Sequence, residues 1–340
     1  MLRPLSISAV AAVVLLALTG LEIGVRELYE PPAPMLRKAT QYQQASHEGR
    51  ELLILGTCLP EQILKPELLA QQIGPDVRVH ILATPAAGAQ LFTLVLRNFV
   101  PPEAKISAVV VPYGRRDLTN EMPPWESQVM ELARWSDLPG LIRETCDDAE
   151  CAAEILLRKA SRAYRYRGWL ANRFWYGVGS KPPIPGFILS PGAVDPNEGP
   201  DGVVHNAGAP PPGPPPGTPG AAPQTGGFGW ERVEDGVAED DPSRFVHLEA
   251  MLAEAKKRNL RVIFTPLPER AGVSGHAPPR SAYDRRVAEV IAAGGGELFD
   301  VERIEGLGPQ HFEDDVHLNA AGQQLVTLAI GQALARQLEP

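Results

Sequence analysis

The stretch ELLILG, residues 51–56, decides the fold class because it is a short, largely apolar run that ends in glycine and leads into Thr57-Cys58. Such a run, bounded by turn residues, is typical of a strand buried on both faces of a sheet. Similar runs follow at VRVHIL (77–82) and ISAVVV (106–111), and the first two are each followed by a helical pattern. Repeated strand, loop and helix predict an α/β fold with a parallel sheet covered by helices on both faces.

Two further strands are predicted after residue 245. LRVIFTPLP (260–268) is the fourth buried run, and ELFDV (297–301) is a short fifth. The helix predicted between them, 283–293, ends at three consecutive glycines, and 320–338 forms the closing helix. Folds of this type bind ligands in the loops that follow the carboxyl ends of their strands, so we expect the functional residues there.

A long excursion separates the two halves of the predicted sheet. Residues 120–179 have a helical pattern, and within it basic and aromatic side chains are interleaved over residues 151–176. They could form an ordinary amphipathic cap over the sheet, or they could rest on a membrane surface or line a glycan groove. Residues 180–242 contain APPPGPPPGTPGAAP (209–223), a composition that predicts a flexible, Pro/Gly-rich loop.

The charge balance excludes one class of partner. The formal net charge is −9 and the sequence pI is about 5.4, so the chain lacks the excess of basic residues that binding to nucleic-acid phosphates requires. We therefore expect no nucleic-acid partner.

The amino-terminal segment differs from the rest of the chain. No charged residue occurs from Pro4 to Leu21, and Arg3 precedes this apolar run. A cleaved signal peptide is one interpretation, although no clear Ala-x-Ala site follows. We favour an uncleaved membrane anchor over residues 1–28, with a polar stalk at 29–49 and the globular domain at 50–340 on the exported side.

The three cysteines fit an exported domain. Cys146 and Cys151 lie five residues apart, a spacing that can close a small disulfide in an oxidising compartment. The alternative is two unpaired thiols near the start of a helix. A disulfide between them would leave Cys58 as the single free thiol.

The stretch FEDDVHLNAAG (312–322) carries the clearest chemical signal. Asp314 stands three residues before His317, so the carboxylate can orient the imidazole, which then accepts a proton from a nucleophile. Asp315 is an alternative partner for the histidine. The competing interpretation is that these acidic residues and Asn319 only cap the final helix.

The order of these motifs resembles that of the SGNH (GDSL-like) hydrolase superfamily, in particular its membrane-anchored branch that adds or removes acyl groups on cell-envelope polysaccharides. The resemblance covers about residues 50–118 and 245–338. It implies a flavodoxin-like sheet in which Gly56-Thr57-Cys58 replaces Gly-Asp-Ser, so that Cys58 stands where the nucleophilic serine would be. Gly88 corresponds to the oxyanion glycine, and Gly114-Arg115-Arg116-Asp117 replaces Gly-x-Asn-Asp. Asp314 and His317 match the Asp-x-x-His block.

The resemblance implies an esterase or O-acyltransferase for acyl esters of an envelope glycan, with envelope acyl-transfer machinery as a further partner. Cys58 would be the nucleophile, His317 the base and Asp314 its orienting group. The backbone amides of Cys58 and Gly88, with Arg116, would form the oxyanion site. Arg116 could instead bind an anionic substrate group or pair with Asp117. No metal or organic cofactor is implied.

Two rival functions stay open, and the departures at Thr57-Cys58 and Arg116 favour the first of them. The domain could be a catalytically inactive glycan-binding or scaffold protein built on the same fold. A thiol redox protein is the other rival, but Cys58 lacks a Cys-x-x-Cys partner.

Overall fold

The computed structural model describes residues 16, 19–24, 34–85, 87–114, 117–118, 126–146, 148–167, 245–270, 282–299, 304–314 and 316–338. These residues contain a five-stranded sheet in which all neighbouring strands are parallel. The strands are β1 (Arg50–Gly56), β2 (Val77–Ala83), β3 (Ile106–Tyr113), β4 (Val262–Pro266) and β5 (Glu297–Leu298). Their order, β2-β1-β3-β4-β5, is the flavodoxin-like order, which confirms the predicted fold class.

The helices follow the sequence pattern closely. They are α1 (Pro34–Gln44), α2 (Cys58–Ile63), α3 (Pro66–Ile73), α4 (Ala89–Phe99), α5 (Glu126–Leu132), α6 (Leu138–Thr145), α7 (Ala149–Ala160), α8 (Arg162–Arg165), α9 (Val246–Lys257), α10 (Ala282–Ala293) and α11 (Ala320–Leu338). Short 3-10 helices occur at Trp135–Asp137 and Pro309–His311. Of the predicted strand 297–301, Glu297–Leu298 pair with β4, and residues 300 and 301 lie outside the described residues.

Each central strand sends alternate side chains into two separate hydrophobic clusters. On β1, Leu53 and Leu55 join the first cluster, whereas Leu52 and Ile54 join the second. The first cluster is covered by α1, α4, α5, α6, α9 and α10, and the second by α2, α3 and α11. Because both faces of the strands are buried, their sequences are nearly continuous apolar runs.

The predicted stalk is wrong over part of its length. Residues 34–44 form α1, and Met35, Ala39 and Tyr42 on this helix are buried in the first cluster. The polar composition of this segment suggested an extended spacer, but three apolar side chains at helical spacing are enough to fix one face of the helix on the domain. The folded domain therefore begins before residue 50.

The described part of the helical excursion is held together by hydrogen bonds and ion pairs between its own side chains. Glu154 accepts hydrogen bonds from Arg158 at 2.7 Å and from Arg167 at 2.6 Å. Partial burial raises the pKa of Glu154, but bonds from Tyr164, Arg158 and Arg167 outweigh that effect and lower it to about 2. This favours the cap interpretation of the basic and aromatic pattern, since these arginines are paired within the excursion.

A disulfide closes a short loop inside the excursion, and a carboxylate from the amino-terminal segment binds to it. Cys146 and Cys151 form a disulfide bond between the end of α6 and the first turn of α7. Glu22 accepts hydrogen bonds from Ser161 Oγ at 2.8 Å, Arg162 N at 2.9 Å and Ala163 N at 3.0 Å. The carboxylate thus satisfies amide groups at the start of α8 that have no partner within the helix.

Within the described part of the chain, no helix combines the length and the apolar character that crossing a bilayer requires. Most of the predicted anchor and the whole of the predicted loop 180–242 lie outside the described residues.

Candidate active site

The turn after β1 presents Cys58 at the first position of α2. Gly56 is required there because any β-carbon at this position would overlap the ring of Pro60, which belongs to the first turn of α2. Thr57 is the N-cap residue, and its hydroxyl accepts the Leu59 amide at 3.5 Å. Cys58 is half-buried and packs against the second hydrophobic cluster, and it is the free cysteine of the described chain.

The surroundings of Cys58 favour the protonated thiol. Burial raises its pKa, and the nearby carboxylate of Asp117 raises it further. Glu61 acts in the same direction more weakly, whereas backbone amides at the start of α2 lower the pKa. Since the thiolate is the nucleophilic form, Cys58 needs a base to remove its proton near neutral pH.

Asp117 organises the loop after β3. Its Oδ2 atom accepts the Gly114 amide at 2.8 Å and the Thr57 hydroxyl at 3.3 Å. Burial raises the pKa of Asp117 to about 6, against the opposing effect of these two hydrogen bonds, and Glu269 adds a smaller upward contribution. The sequence pattern gave Asp117 no more than a structural role beside Arg116, and it gave no signal for Glu269.

The Asp-His pair lies in a closed hairpin. Phe312 and Leu318 form an antiparallel bridge, and the Glu313 amide donates to the His317 carbonyl at 2.8 Å. Asp314 Oδ1 accepts the amides of Val316 and His317 at 2.8 and 2.7 Å, while its Oδ2 lies 2.6 Å from His317 Nδ1. The carboxylate therefore fixes both the backbone of the hairpin and the orientation of the imidazole.

These contacts favour the ionised form of Asp314. Partial burial raises the pKa of Asp314, but the hydrogen bonds from the His317 amide, the His317 ring and the Val316 amide together lower it below its ordinary value. An ionised Asp314 accepts a hydrogen bond from Nδ1–H and so leaves Nε2 as the basic nitrogen. No residue of the described chain forms a hydrogen bond with Nε2, so this atom is available to a nucleophile or a substrate.

Asn319 seals the base of the hairpin. Its amide group donates to the Gln310 carbonyl at 2.8 Å, its backbone N–H donates to the His311 carbonyl at 2.9 Å, and its Oδ1 accepts the Gly322 amide at 3.1 Å. Gly322 approaches the His311 carbonyl so closely that a β-carbon would overlap it. The Asn-Ala-Ala-Gly sequence thus serves to attach α11 to the hairpin.

The structure brings the two halves of the predicted site to one face of the sheet. Cys58 and Val316 both pack against the second cluster, to which Phe312 and Leu318 of the hairpin belong. No hydrogen bond joins Cys58 to His317 among the described residues. Gly88 is buried at the N-terminus of α4, in the loop after β2, and Thr84 in that loop donates its amide to the Gly56 carbonyl at 3.3 Å.

Three predicted residues are not placed. Arg115, Arg116 and Asp315 lie outside the described residues. The oxyanion role of Arg116 and the alternative role of Asp315 therefore stay predictions. Among the described residues, Asp314 is the carboxylate bonded to the His317 ring.

Comparison with known proteins adds little to this description. No protein-family model and no curated protein matches the sequence. A solved structure from Bacteroides fragilis, provisionally described as an acylhydrolase, is similar at a TM-score of 0.37 and 14% identity, over 89% of this chain and 96% of that one. This degree of similarity carries no argument about activity.

Proposed function

We propose that this protein is an esterase or O-acyltransferase that acts on acyl esters of a cell-envelope polysaccharide through Cys58, His317 and Asp314. The observation that carries the proposal is the 2.6 Å contact between His317 Nδ1 and Asp314 Oδ2, with Nε2 left available. A base oriented in this way is what a thiol with a raised pKa requires. The packing of Cys58 and the hairpin against one cluster also supports it.

The proposed reaction has two steps. His317 Nε2 accepts the thiol proton, the sulfur of Cys58 attacks the ester carbonyl, and the protonated imidazole returns the proton to the departing alkoxide. The resulting thioester is then attacked by water or by a sugar hydroxyl whose proton His317 accepts. The acyl–sulfur bond breaks, and the imidazolium returns this proton to the departing Cys58 sulfur. The amides of Cys58 and Gly88, together with Arg116, would donate to the oxyanion formed in each step.

Location is part of the same proposal. We place the domain on the exported side of the cytoplasmic membrane, anchored by the uncharged segment 4–21. The Cys146–Cys151 disulfide supports export, because such bonds persist mainly in oxidising compartments. A polysaccharide substrate and envelope acyl-transfer partners fit that location, and the sequence resemblance supports them.

The test is hydrolysis of p-nitrophenyl acetate by the full chain in detergent, compared with Cys58→Ala, Cys58→Ser and His317→Ala. His311→Gln is the matched control, because His311 lies in the same region and, within the described chain, its ring makes one hydrogen bond, which it accepts from the Gly308 amide. We expect the two alanine variants to lose activity by about 10²-fold or more and His311→Gln to keep it. Mass spectrometry should detect an acetyl group on Cys58 in the parent.

A second function is favoured by one observation. Burial and Asp117 keep the thiol of Cys58 protonated, which also suits a glycan-binding or scaffold domain without catalysis. In that case the parent and all variants would be equally inert toward activated esters. The parent would still bind O-acetylated envelope oligosaccharides, and Cys58→Ala would bind them as tightly.

A further inference from the structure

A lysine on α1 reaches the helix that carries Cys58. Lys38 Nζ donates a hydrogen bond to the Ala83 carbonyl at 2.7 Å and to Glu61 Oε2 at 2.5 Å. Ala83 is the last residue of β2, and Glu61 lies in α2, three residues after Cys58. One side chain therefore joins α1, the carboxyl end of β2 and the helix of the nucleophile.

The anchor point of this lysine is fixed. On the same helix, Met35 lies three residues before Lys38 and Ala39 directly after it, and both are fully buried in the first cluster. The Lys38 side chain is 23% exposed, whereas that of Glu61 is 52% exposed. A partly buried ammonium group that donates to a carbonyl and a carboxylate is held in one place, and it holds its exposed partner in turn.

The helix that Lys38 contacts needs external support. α2 has six residues, which is too short to be stable by itself. Thr57 caps its beginning, and its end stops at Leu64, whose amide donates to the Pro60 carbonyl at 2.9 Å. Within the described residues, Lys38 is the charged group that bonds Glu61 on the exposed side of this helix.

The same contact affects the charge around the thiol. The charged groups that act on Cys58 are Asp117, on the loop after β3, and Glu61, and both raise its pKa. Lys38 places a positive charge 2.5 Å from the Glu61 carboxylate and so offsets one of the two. Without Lys38, the thiol would meet two uncompensated negative groups.

We propose that Lys38 is a positioning residue for the reaction at Cys58, in which it holds α2 against the end of β2 and compensates Glu61. The proposal rests on the proposed function only in naming Cys58 as the nucleophile. It also couples α1, which begins six residues after the end of the proposed membrane anchor, to the proposed active site. A displacement of α1 would then shift α2, and with it Cys58, through the Lys38 side chain.

The test compares Lys38→Met with Lys38→Arg in the full chain, and Arg37→Met is the control. Arg37 is the neighbouring residue on α1, carries the same charge and is exposed. Two quantities are measured: the pH dependence of Cys58 alkylation by iodoacetamide, and kcat and KM for p-nitrophenyl acetate. The disulfide protects the other two cysteines from alkylation.

We expect Lys38→Met to shift the alkylation profile to higher pH and to slow alkylation at pH 7.5 by about two- to five-fold. Its kcat should fall by about five- to ten-fold with little change in KM, because misplacement of the nucleophile affects the chemical step. Lys38→Arg should restore most of both values, since guanidinium can donate to the same two oxygens. Arg37→Met should match the parent.

A double variant separates charge from position. Adding Glu61→Gln to Lys38→Met should return the alkylation profile toward that of the parent, while kcat stays low. Glu61→Gln alone tests the same contact where Lys38→Met fails to fold, and it should lower kcat without slowing alkylation. The proposal is overturned if Lys38→Met and Arg37→Met have the same profile and the same kcat.

The two proposals fail in different ways. If the parent does not hydrolyse the ester, the proposed function fails, but the alkylation profiles of Lys38→Met and the double variant still measure the effect of Lys38 on Cys58. If the parent is active and Lys38→Met is equally active with an unshifted profile, only the role of Lys38 is lost.

Discussion

Thr57 Oγ1 donates a hydrogen bond to Asp117 Oδ2 at 3.3 Å and thereby joins the loop after β1 to the loop after β3. The same Asp117 oxygen accepts the Gly114 amide, so one carboxylate fixes both loops beside Cys58. The cost is a buried negative charge close to a thiol that must ionise to react. Replacement of Asp117 should therefore change both the stability of the fold and the reactivity of the Cys58 thiol.

Asp117→Asn should remove a pH dependence of stability. The pKa of Asp117 is about 6 in the fold and 3.8 for the ordinary side chain, so the fold binds the proton more tightly than the unfolded chain. The stability from this group is therefore fully present below pH 3.8 and is lost as the pH rises through 6, by on the order of 2–3 kcal/mol. An asparagine oxygen can still accept both hydrogen bonds without a charge. Relative to the parent, the variant should gain stability between pH 4 and 6, as measured by urea unfolding.

Asp76→Asn is the control for that experiment. The Asp76 side chain is 61% exposed and lies 3.7 Å from an arginine nitrogen of Arg50, so its replacement should give no comparable gain. A parent and an Asp117→Asn variant with parallel stability curves over this pH range would contradict the assignment of a raised pKa.

The same variant should make Cys58 more reactive. Burial is the main reason for the raised thiol pKa, and Asp117 is the next, so removing this charge should shift alkylation by iodoacetamide to lower pH. At pH 7.5 the rate should increase about three- to ten-fold, in proportion to the thiolate fraction. An unchanged or slower rate would mean that Asp117 does not act on the thiol by its charge.

Asp314→Asn should impair turnover far more than folding. The neutral asparagine has no charge to stabilise the imidazolium, and its NH2 group can donate to Nδ1 and so favour the wrong tautomer. We expect kcat for p-nitrophenyl acetate to fall by about 10²- to 10⁴-fold, with the melting temperature within a few degrees of the parent. Glu313→Gln, on the neighbouring exposed residue, should leave kcat unchanged. Equal activity of the parent and Asp314→Asn would show that the pair has no catalytic role.

Gly322→Ala should destabilise the attachment of α11 to the hairpin. The added β-carbon would overlap the His311 carbonyl, a backbone atom that cannot move without disturbing the Asn319 contacts. We expect a loss of about 1–3 kcal/mol in the free energy of unfolding. Gly140→Ala is the matched control, because Gly140 lies within α6 and the nearest atom to an added β-carbon is Glu144 Oε1 at 3.9 Å. That change should be neutral or slightly stabilising, since alanine favours helix more than glycine does.

The sequence by itself determined the sheet. Runs such as Leu52–Leu55 and Val109–Val111 are apolar at every position because both faces of a central parallel strand are buried, and this local pattern needs no knowledge of distant residues. The Asp314–His317 contact was likewise predictable, because the two residues are three positions apart and the hairpin between them is closed by its own backbone.

Only the tertiary structure decided what surrounds Cys58. Asp117 is 60 residues from Thr57, and Lys38 is 23 residues from Glu61, so no periodicity in the sequence relates them. The pKa of the thiol depends on burial and on charges brought close by the fold, and neither is a property of the local sequence. The segment 34–44 shows the same limit: its composition resembles a spacer, yet Met35, Ala39 and Tyr42 become core residues because the sheet offers them an apolar surface.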